Sequence, residues 1–350
     1  LAGELSAEAA PARYDVATGQ VVDGTVGVTL DREAAQFALD AALNGETIQL
    51  PAEIVYPSVT AEELQAVLFR DLLSVCTTTV SGTSTRKNNV KLSGAAVNGT
   101  VLNDGDIFDY NQVVGRRTTE NGYGPAPSYI NGETVDSIGG GICQTSSTLY
   151  LASLLANLEI VERYAHRYTP SYITMGMDAT VSWGGPEFRF RNNTGYPIRI
   201  DVSYENSEIT VSIYGTKTDD ITVKMTRDII SSTGYQTEYV ETEELPWGTQ
   251  QQKQSGYTGY EVVSYRNLYD GDGNLISSTE EARSSYKSRN EIILVGTAGR
   301  PDGADPGTDP GTDPGTDPGG STETGGGLEP GGETTPPEEL PDDEPPGWLS

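Results

Sequence analysis

Hydrophobic positions in the first seventy residues recur twice at helical spacing. Ala34, Phe37, Ala38, Ala41 and Leu43 form one stripe, with Asp31 placed as N-cap and Asn44-Gly45 supplying a left-handed stop. Two short strands follow at residues 47–50 and 53–56. Thr60-Ala61-Glu62-Glu63 then pairs a capping hydroxyl with a carboxylate three residues on, which starts a second helix reaching Phe69. This stretch predicts a small α+β unit.

From residue 71 the pattern changes to alternating segments and turns, broken by one uncharged run. Leu149, Leu151, Leu154, Leu155 and Leu158 surround that run on nearly every side, so it predicts a buried helix starting at Cys143. Strand-like stretches follow at residues 179–183, 188–191, 197–204 and 208–214, separated by Gly-Gly-Pro, Asn-Asn-Thr-Gly and Glu-Asn-Ser turns. Residues 221–297 have little helical periodicity and read as a separate, elongated β domain. The expected fold class is α+β: a central antiparallel sheet with a buried helix, a small α+β N-terminal domain, an all-β C-terminal module and a disordered tail. The expected bounds are a linker over 1–12 and domains over 13–70, 71–216 and 217–298. The tail takes 299–350, where Asp-Pro-Gly-Thr repeats cannot bury enough apolar surface to fold.

Composition narrows the partners. The 350 residues carry 22 Lys+Arg against 51 Asp+Glu, a net charge of -29 that repels phosphate backbones and argues against nucleic acid. The last fifty residues hold 13 of the acidic groups and no basic one. Two cysteines and one histidine are too few for a disulfide framework or a zinc site, and no cofactor or metal is expected. The Asp270-Gly271-Asp272-Gly273-Asn274 run imitates a calcium loop, but Leu275 replaces the needed glycine, so it predicts a hairpin turn. No stretch reaches the roughly 18 apolar residues of a membrane span. Membrane attachment is expected only through a segment preceding Leu1.

Dense motifs mark the middle of the chain: Asn98-Gly99-Thr100, Phe108-Asp109-Tyr110-Asn111, Val114-Gly115-Arg116-Arg117-Thr118, Glu120-Asn121-Gly122-Tyr123 and Gly139-Gly140-Gly141-Ile142-Cys143-Gln144-Thr145. In these residues the chain resembles the VanW family over about 71–216. Gly27-Val28-Thr29-Leu30-Asp31 and Leu50-Pro51 resemble the peptidoglycan-binding-like domain that often precedes that family. Ser255-Gly256-Tyr257-Thr258-Gly259-Tyr260 and Ile293-Leu294-Val295-Gly296-Thr297 are similar to the β module called G-five. The resemblance implies an extracytoplasmic, cell-wall-associated protein with peptidoglycan or another wall glycan or peptide as partner and a link to glycopeptide resistance. It supplies no established reaction.

The chemistry the residues allow centres on Cys143. A cysteine at the first turn of a buried helix lies among unpaired N–H groups and at the positive end of the helix dipole, which favour the thiolate. Gly139, Gly140, Gly141, Ile142 and Gln144 are the candidate loop for holding an oxyanion, with Gly141 and Ile142 as backbone donors. His166, the single histidine, lies 23 positions on, and Asp178 follows 12 later. Cysteine, histidine and aspartate in this order match thiol hydrolases in which an acid orients the imidazole. Arg116, Glu120, Asn121, Tyr123, Ser146 and Arg189 are candidates for contacting substrate, the arginines through bidentate bonds to carboxylates. The glycine triplet lacks the lysine of a nucleotide loop.

Other readings stay open on sequence alone. Cys143 and His166 also fit ordinary buried side chains, Cys143 fits a disulfide with Cys76, and Ser146 or Ser147 fits an alternative nucleophile. A non-catalytic wall-binding scaffold accounts for the same modules.

Overall fold

The computed structural model describes residues 7–300 apart from 44, 46, 131 and 132, so nearly all of the expected tail and half of the expected linker lie outside the described residues. Residues 7–12 are not a free linker, because Ala7 and Ala10 exchange backbone hydrogen bonds with Val28 and Thr25.

The N-terminal unit runs β1 (Arg13–Asp15), β2 (Gln20–Val22), β3 (Gly27–Leu30), α1 (Arg32–Ala41), β4 (Ala52–Val55) and α2 (Ala61–Val67), with β1 paired to β2 and β3 to β4. Asp31 caps α1 by accepting the Ala34 N–H at 3.0 Å, and Thr60 with Glu63 closes the expected capping box on α2. Two expectations fail. The first helix stops at Ala41, with Ala42 already extended, so Gly45 is not its terminating residue. The stretch 47–50 joins no strand, because β4 alone pairs with β3. Phe37 and Leu43 are each 77% exposed, so the apolar stripe of α1 is not a core face.

The central unit contains β5 (Asp71–Thr79), α3 (Ser84–Val97), β6 (Thr100–Leu102), β7 (Ile107–Asp109), α4 (Tyr110–Val114), β8 (Pro125–Ile130), β9 (Glu133–Ile138), α5 (Cys143–Leu155), β10 (Glu159–Glu162), β11 (Arg189–Arg191), β12 (Ile198–Glu205) and β13 (Glu208–Gly215). A four-stranded antiparallel sheet, ordered β5-β13-β12-β6, carries α5 on the face formed by β5 and β13. A second sheet, β10-β11-β7, lies beside it. Leu149, Leu154, Phe188, Phe190, Ile200, Val211 and Ile213 share one core. Polar contacts set the seating of the helix: Ser74 Oγ donates to Ala152 O at 2.7 Å, and Thr78 meets Thr148 at 2.8 Å. The expected strand at 179–183 is instead an unpaired extended segment lying along α5.

The C-terminal module contains β14 (Thr222–Thr233), β15 (Thr237–Pro246), β16 (Gln250–Gln254), β17 (Gly259–Tyr269), β18 (Leu275–Tyr286) and β19 (Glu291–Ala298). Its sheets are β14-β17-β18 and β15-β19-β16, and within the second β15 runs parallel to β19. The Asp270–Asn274 run is a tight hairpin turn in which the Asp270 carboxylate accepts the N–H groups of Asp272 and Asn274. The module packs against the central unit, and the described residues up to Gly299 belong to one compact unit. Arg266 donates to Asn157 Oδ1 and Leu158 O at 3.0 and 2.9 Å, Lys287 N–H donates to Arg167 O, and Tyr257 stacks on Tyr168.

Candidate active site

Cys143 is the first residue of α5 and is partly exposed. The three glycines before it follow from packing. A Cβ on Gly140 would lie 2.2 Å from Ala126 O, and Gly141 holds φ +101°, which favours glycine, with Arg86 already against it. The turn therefore has no room for side chains of its own between the helix start and its neighbours Ala126 and Arg86. The Ile142 N–H donates to Gly139 O and the Gln144 N–H to Gly141 O, whereas the Gly141 and Cys143 N–H groups have no acceptor among the described residues. The backbone N–H groups left open at this turn are thus those of Gly141 and Cys143, whereas that of Ile142 is taken.

Ser146 and Ser147 fix what stands opposite the sulfur. Each hydroxyl donates back to Cys143 O, and Ser146 Oγ also donates to Ala179 O at 2.6 Å. Ser147 Oγ accepts the Ala179 N–H at 3.0 Å. These bonds clamp the extended segment onto the helix, so that Val181 N–H reaches Cys143 Sγ at 3.5 Å and Thr180 Oγ1 lies 3.8 Å from it.

The same segment carries Asp178, which is wholly buried. Its Oδ2 lies 2.7 Å from His166 Nδ1 and accepts the His166 backbone N–H at 2.8 Å. Its Oδ1 accepts from Arg163 Nη2 at 3.0 Å and from the Tyr286 hydroxyl. Four donors thus hold one carboxylate. The far ring nitrogen, His166 Nε2, lies 3.4 Å from the Tyr172 hydroxyl, which also approaches Ser147.

The electrostatics follow from this chain of contacts. Burial opposes ionisation of Cys143, but hydrogen bonding and charge from His166, with the Val181 N–H and the Thr180 hydroxyl, bring the thiol below its ordinary pKa. Burial likewise opposes the imidazolium, yet Asp178 and the thiolate raise His166 to about 9. Burial works against the Asp178 carboxylate too, and His166, Arg163 and Tyr286 bring it to about 2. The three groups are thereby coupled in one electrostatic chain from Cys143 through His166 to Asp178. Cys76 contrasts with this: it sits in β5 opposite Val211, burial pushes its pKa up to about 12, and both cysteines are free thiols.

The remaining expected site residues divide. Gln144 is buried with its amide given to Thr78 and Thr79 and its carbonyl oxygen taken by Arg86, so its side chain is not an oxyanion donor. Ser146 and Tyr123 are buried and unavailable to substrate. Arg189 is engaged in β11 with Asp109 and Glu162, not free for a carboxylate. Glu120 and Asn121 lie on an exposed turn, where Asn121 donates to Arg116 O. Arg116 is exposed and stacks at 5.2 Å over Trp183, two residues beyond Val181. Sequence reasoning missed Arg86, Arg163, Tyr172 and Tyr286.

Comparison with known proteins fits this architecture. Residues 85–214 match the family model "VanW like protein", and residues 222–298 match the G5 domain. The uncharacterized protein YoaR of Bacillus subtilis is 38% identical over 199 residues, 56% of this chain and 66% of that protein. The vancomycin B-type resistance protein VanW of Enterococcus faecalis is 28% identical over 134 residues, 37% of this chain and 49% of that one. The matched segments thus span about two thirds and half of these relatives. Among solved structures, an IgA1 protease G5 domain is 22% identical, covers 23% of this chain and 96% of that one, and superposes with a TM-score of 0.16. The N-terminal unit has no match among the two family models.

Proposed function

We propose that this chain, in which a VanW-like domain is followed by a G5 domain, is a cell-envelope protein that acts on wall peptides by Cys143-dependent acyl transfer or hydrolysis. The observation that carries the reading is the buried carboxylate of Asp178, locked by four donors and turned onto His166 Nδ1. A side chain held this way orients an imidazole and keeps its proton on the nitrogen facing the acid. One relative's name supports the setting: it is a vancomycin B-type resistance protein.

In this mechanism Cys143 Sγ gives its proton to His166 and attacks the carbonyl carbon of an amide. The developing oxyanion takes the Gly141 and Cys143 N–H groups, which have no other acceptor among the described residues. The imidazolium then gives its proton to the leaving amine, and a sulfur-bound acyl group remains. Water resolves this thioester in hydrolysis, and an incoming amine does so in transfer, with His166 as base. Asp178 stays ionised throughout. The Trp183–Arg116 pair, two residues along the chain from Val181, offers an aromatic face and a cation to a sugar or a peptide carboxylate.

The test is the rate of Cys143 alkylation against pH in a Cys76→Ser background. The expected midpoint lies well below the ordinary thiol value of about 8.5 and rises toward it in His166→Ala. In the parent protein Cys76, shut in β5, stays unmodified by mass spectrometry until the chain unfolds. A normal midpoint that ignores His166→Ala would leave the chain a wall-binding scaffold without catalysis.

A further inference from the structure

The fourth donor on Asp178 comes from outside the VanW-like domain. Tyr286 ends β18 of the G5 domain, and its side chain is 2% exposed. Its hydroxyl donates to Asp178 Oδ1 and accepts the Gly176 N–H at 2.6 Å, so it is committed on both sides. Two residues earlier, Ser284 Oγ accepts from Arg163 Nη1 at 2.8 Å, while Arg163 Nη2 holds the same carboxylate oxygen. Gly176, at φ +86°, brings the loop against β17, where an added Cβ would meet Ser264 and Val262 at 3.3 and 3.4 Å. A strand pair of the second domain therefore finishes the cage around the carboxylate of the first.

We infer that Tyr286 is a positioning residue of the thiol site, and that the G5 domain is thereby a working part of the reaction centre rather than an appended binding module. The inference rests on the proposed thiol chemistry. Its physical content is the rotation of one carboxylate. Oδ2 faces His166 only while Oδ1 is anchored, and Tyr286 supplies one of the two anchors. The titratable groups around Asp178 are Arg163, His166 and Tyr172 from the loop after β10, Tyr150 on α5 and Tyr286 on β18, with Cys143 beyond the imidazole. Of these, Tyr286 alone belongs to the second domain. A load that shifts β18, including ligand engagement by the G5 domain, reaches His166 through this oxygen and through the Lys287–Arg167 backbone bond.

The experiment uses the full chain carrying Cys76→Ser, with and without Tyr286→Phe. Phenylalanine keeps the buried ring and removes only the hydroxyl. Thermal unfolding checks that the variant folds. Cys143 alkylation is measured across pH, and the ring-proton NMR signal of the single histidine is titrated in the same samples. The expected result is a folded variant whose neutral-pH alkylation falls roughly tenfold, the size of one lost hydrogen bond to a charged group. Its midpoint moves up toward that of His166→Ala, and the His166 titration shifts with it. A purely structural tyrosine would lower the unfolding temperature and leave both midpoints in place, and that outcome overturns the inference while the thiol chemistry stands. Should Tyr286→Phe fail to fold, Ser284→Ala loosens Arg163 on the same face. A smaller shift in the same direction supports the inference, and an unchanged profile overturns it. A parent midpoint that is ordinary and indifferent to His166→Ala sinks both readings together.

Discussion

Asp178 is the residue on which both acid and base limits of this molecule converge. Its carboxyl titrates at about 2 in the folded chain against an ordinary 3.8, so the stability it contributes is present above the ordinary value and is lost as pH falls toward 2. His166 has the opposite sign: raised from 6.5 to about 9, it contributes fully below 6.5 and loses that contribution as pH rises through 9. The two describe one contact seen from its two partners, so they are not added. Asp178→Asn is therefore expected to lose about 2 kcal/mol or more near pH 7, with the gap to the parent narrowing below about pH 4. Urea unfolding at a series of pH values measures this. A constant gap across the series would mean that the carboxylate charge is not what the cage holds.

At the scale of elements, the glycine turn before α5 decides whether the thiol is presented at all. Gly140→Ala sets a methyl carbon 2.2 Å from the Ala126 carbonyl oxygen in β8, a backbone atom that cannot swing aside. The expected cost is about 1–3 kcal/mol, together with reduced Cys143 alkylation, because the turn must shift to relieve the clash. Matched unfolding and alkylation curves check it, and a variant of parental stability would show that the hairpin yields freely. The turn and α5 were legible in the sequence, since three glycines, a cysteine and an all-round leucine pattern leave few alternatives. The order Cys143, His166, Asp178 was equally legible. Helix α3 was not. Its buried face is Asn89, Val90, Ser93, Gly94 and Val97, where small and polar side chains replace the apolar stripe that marks a core helix. Asn89 takes up Gly124 O and Gly140 O, and Ser93 meets Thr145, so the packing runs through hydrogen bonds that hydrophobic periodicity does not register. The partners of Asp178 were hidden for another reason. The Arg163 side chain sits 15 residues from the aspartate and Tyr286 sits 108, and pairing over such separations is set by the folded topology alone.

For the whole molecule, the docked module changes what counts as a folding unit. Asp178–Tyr286, Arg163–Ser284, Arg266–Leu158 and the Tyr168–Tyr257 stack all cross the line between the VanW-like and G5 domains, the first buried and the second part-buried. Breaking them leaves desolvated charged groups without partners, so neither domain opens alone at low cost. Calorimetry is expected to show residues 71–298 unfolding in a single cooperative transition. Two resolved transitions, the lower belonging to the β module, would mean that the contacts crossing the line contribute little.

The 108 residues that separate Asp178 from Tyr286 also impose an order in time. A growing chain delivers Cys143, His166 and Asp178 well before the strand that anchors the carboxylate. On the inferred role of Tyr286, the sulfur is expected to stay closer to an ordinary thiol until β18 docks. Full reactivity of Cys143 is then expected only in chains folded through β18, and chains truncated before it are expected to alkylate more slowly.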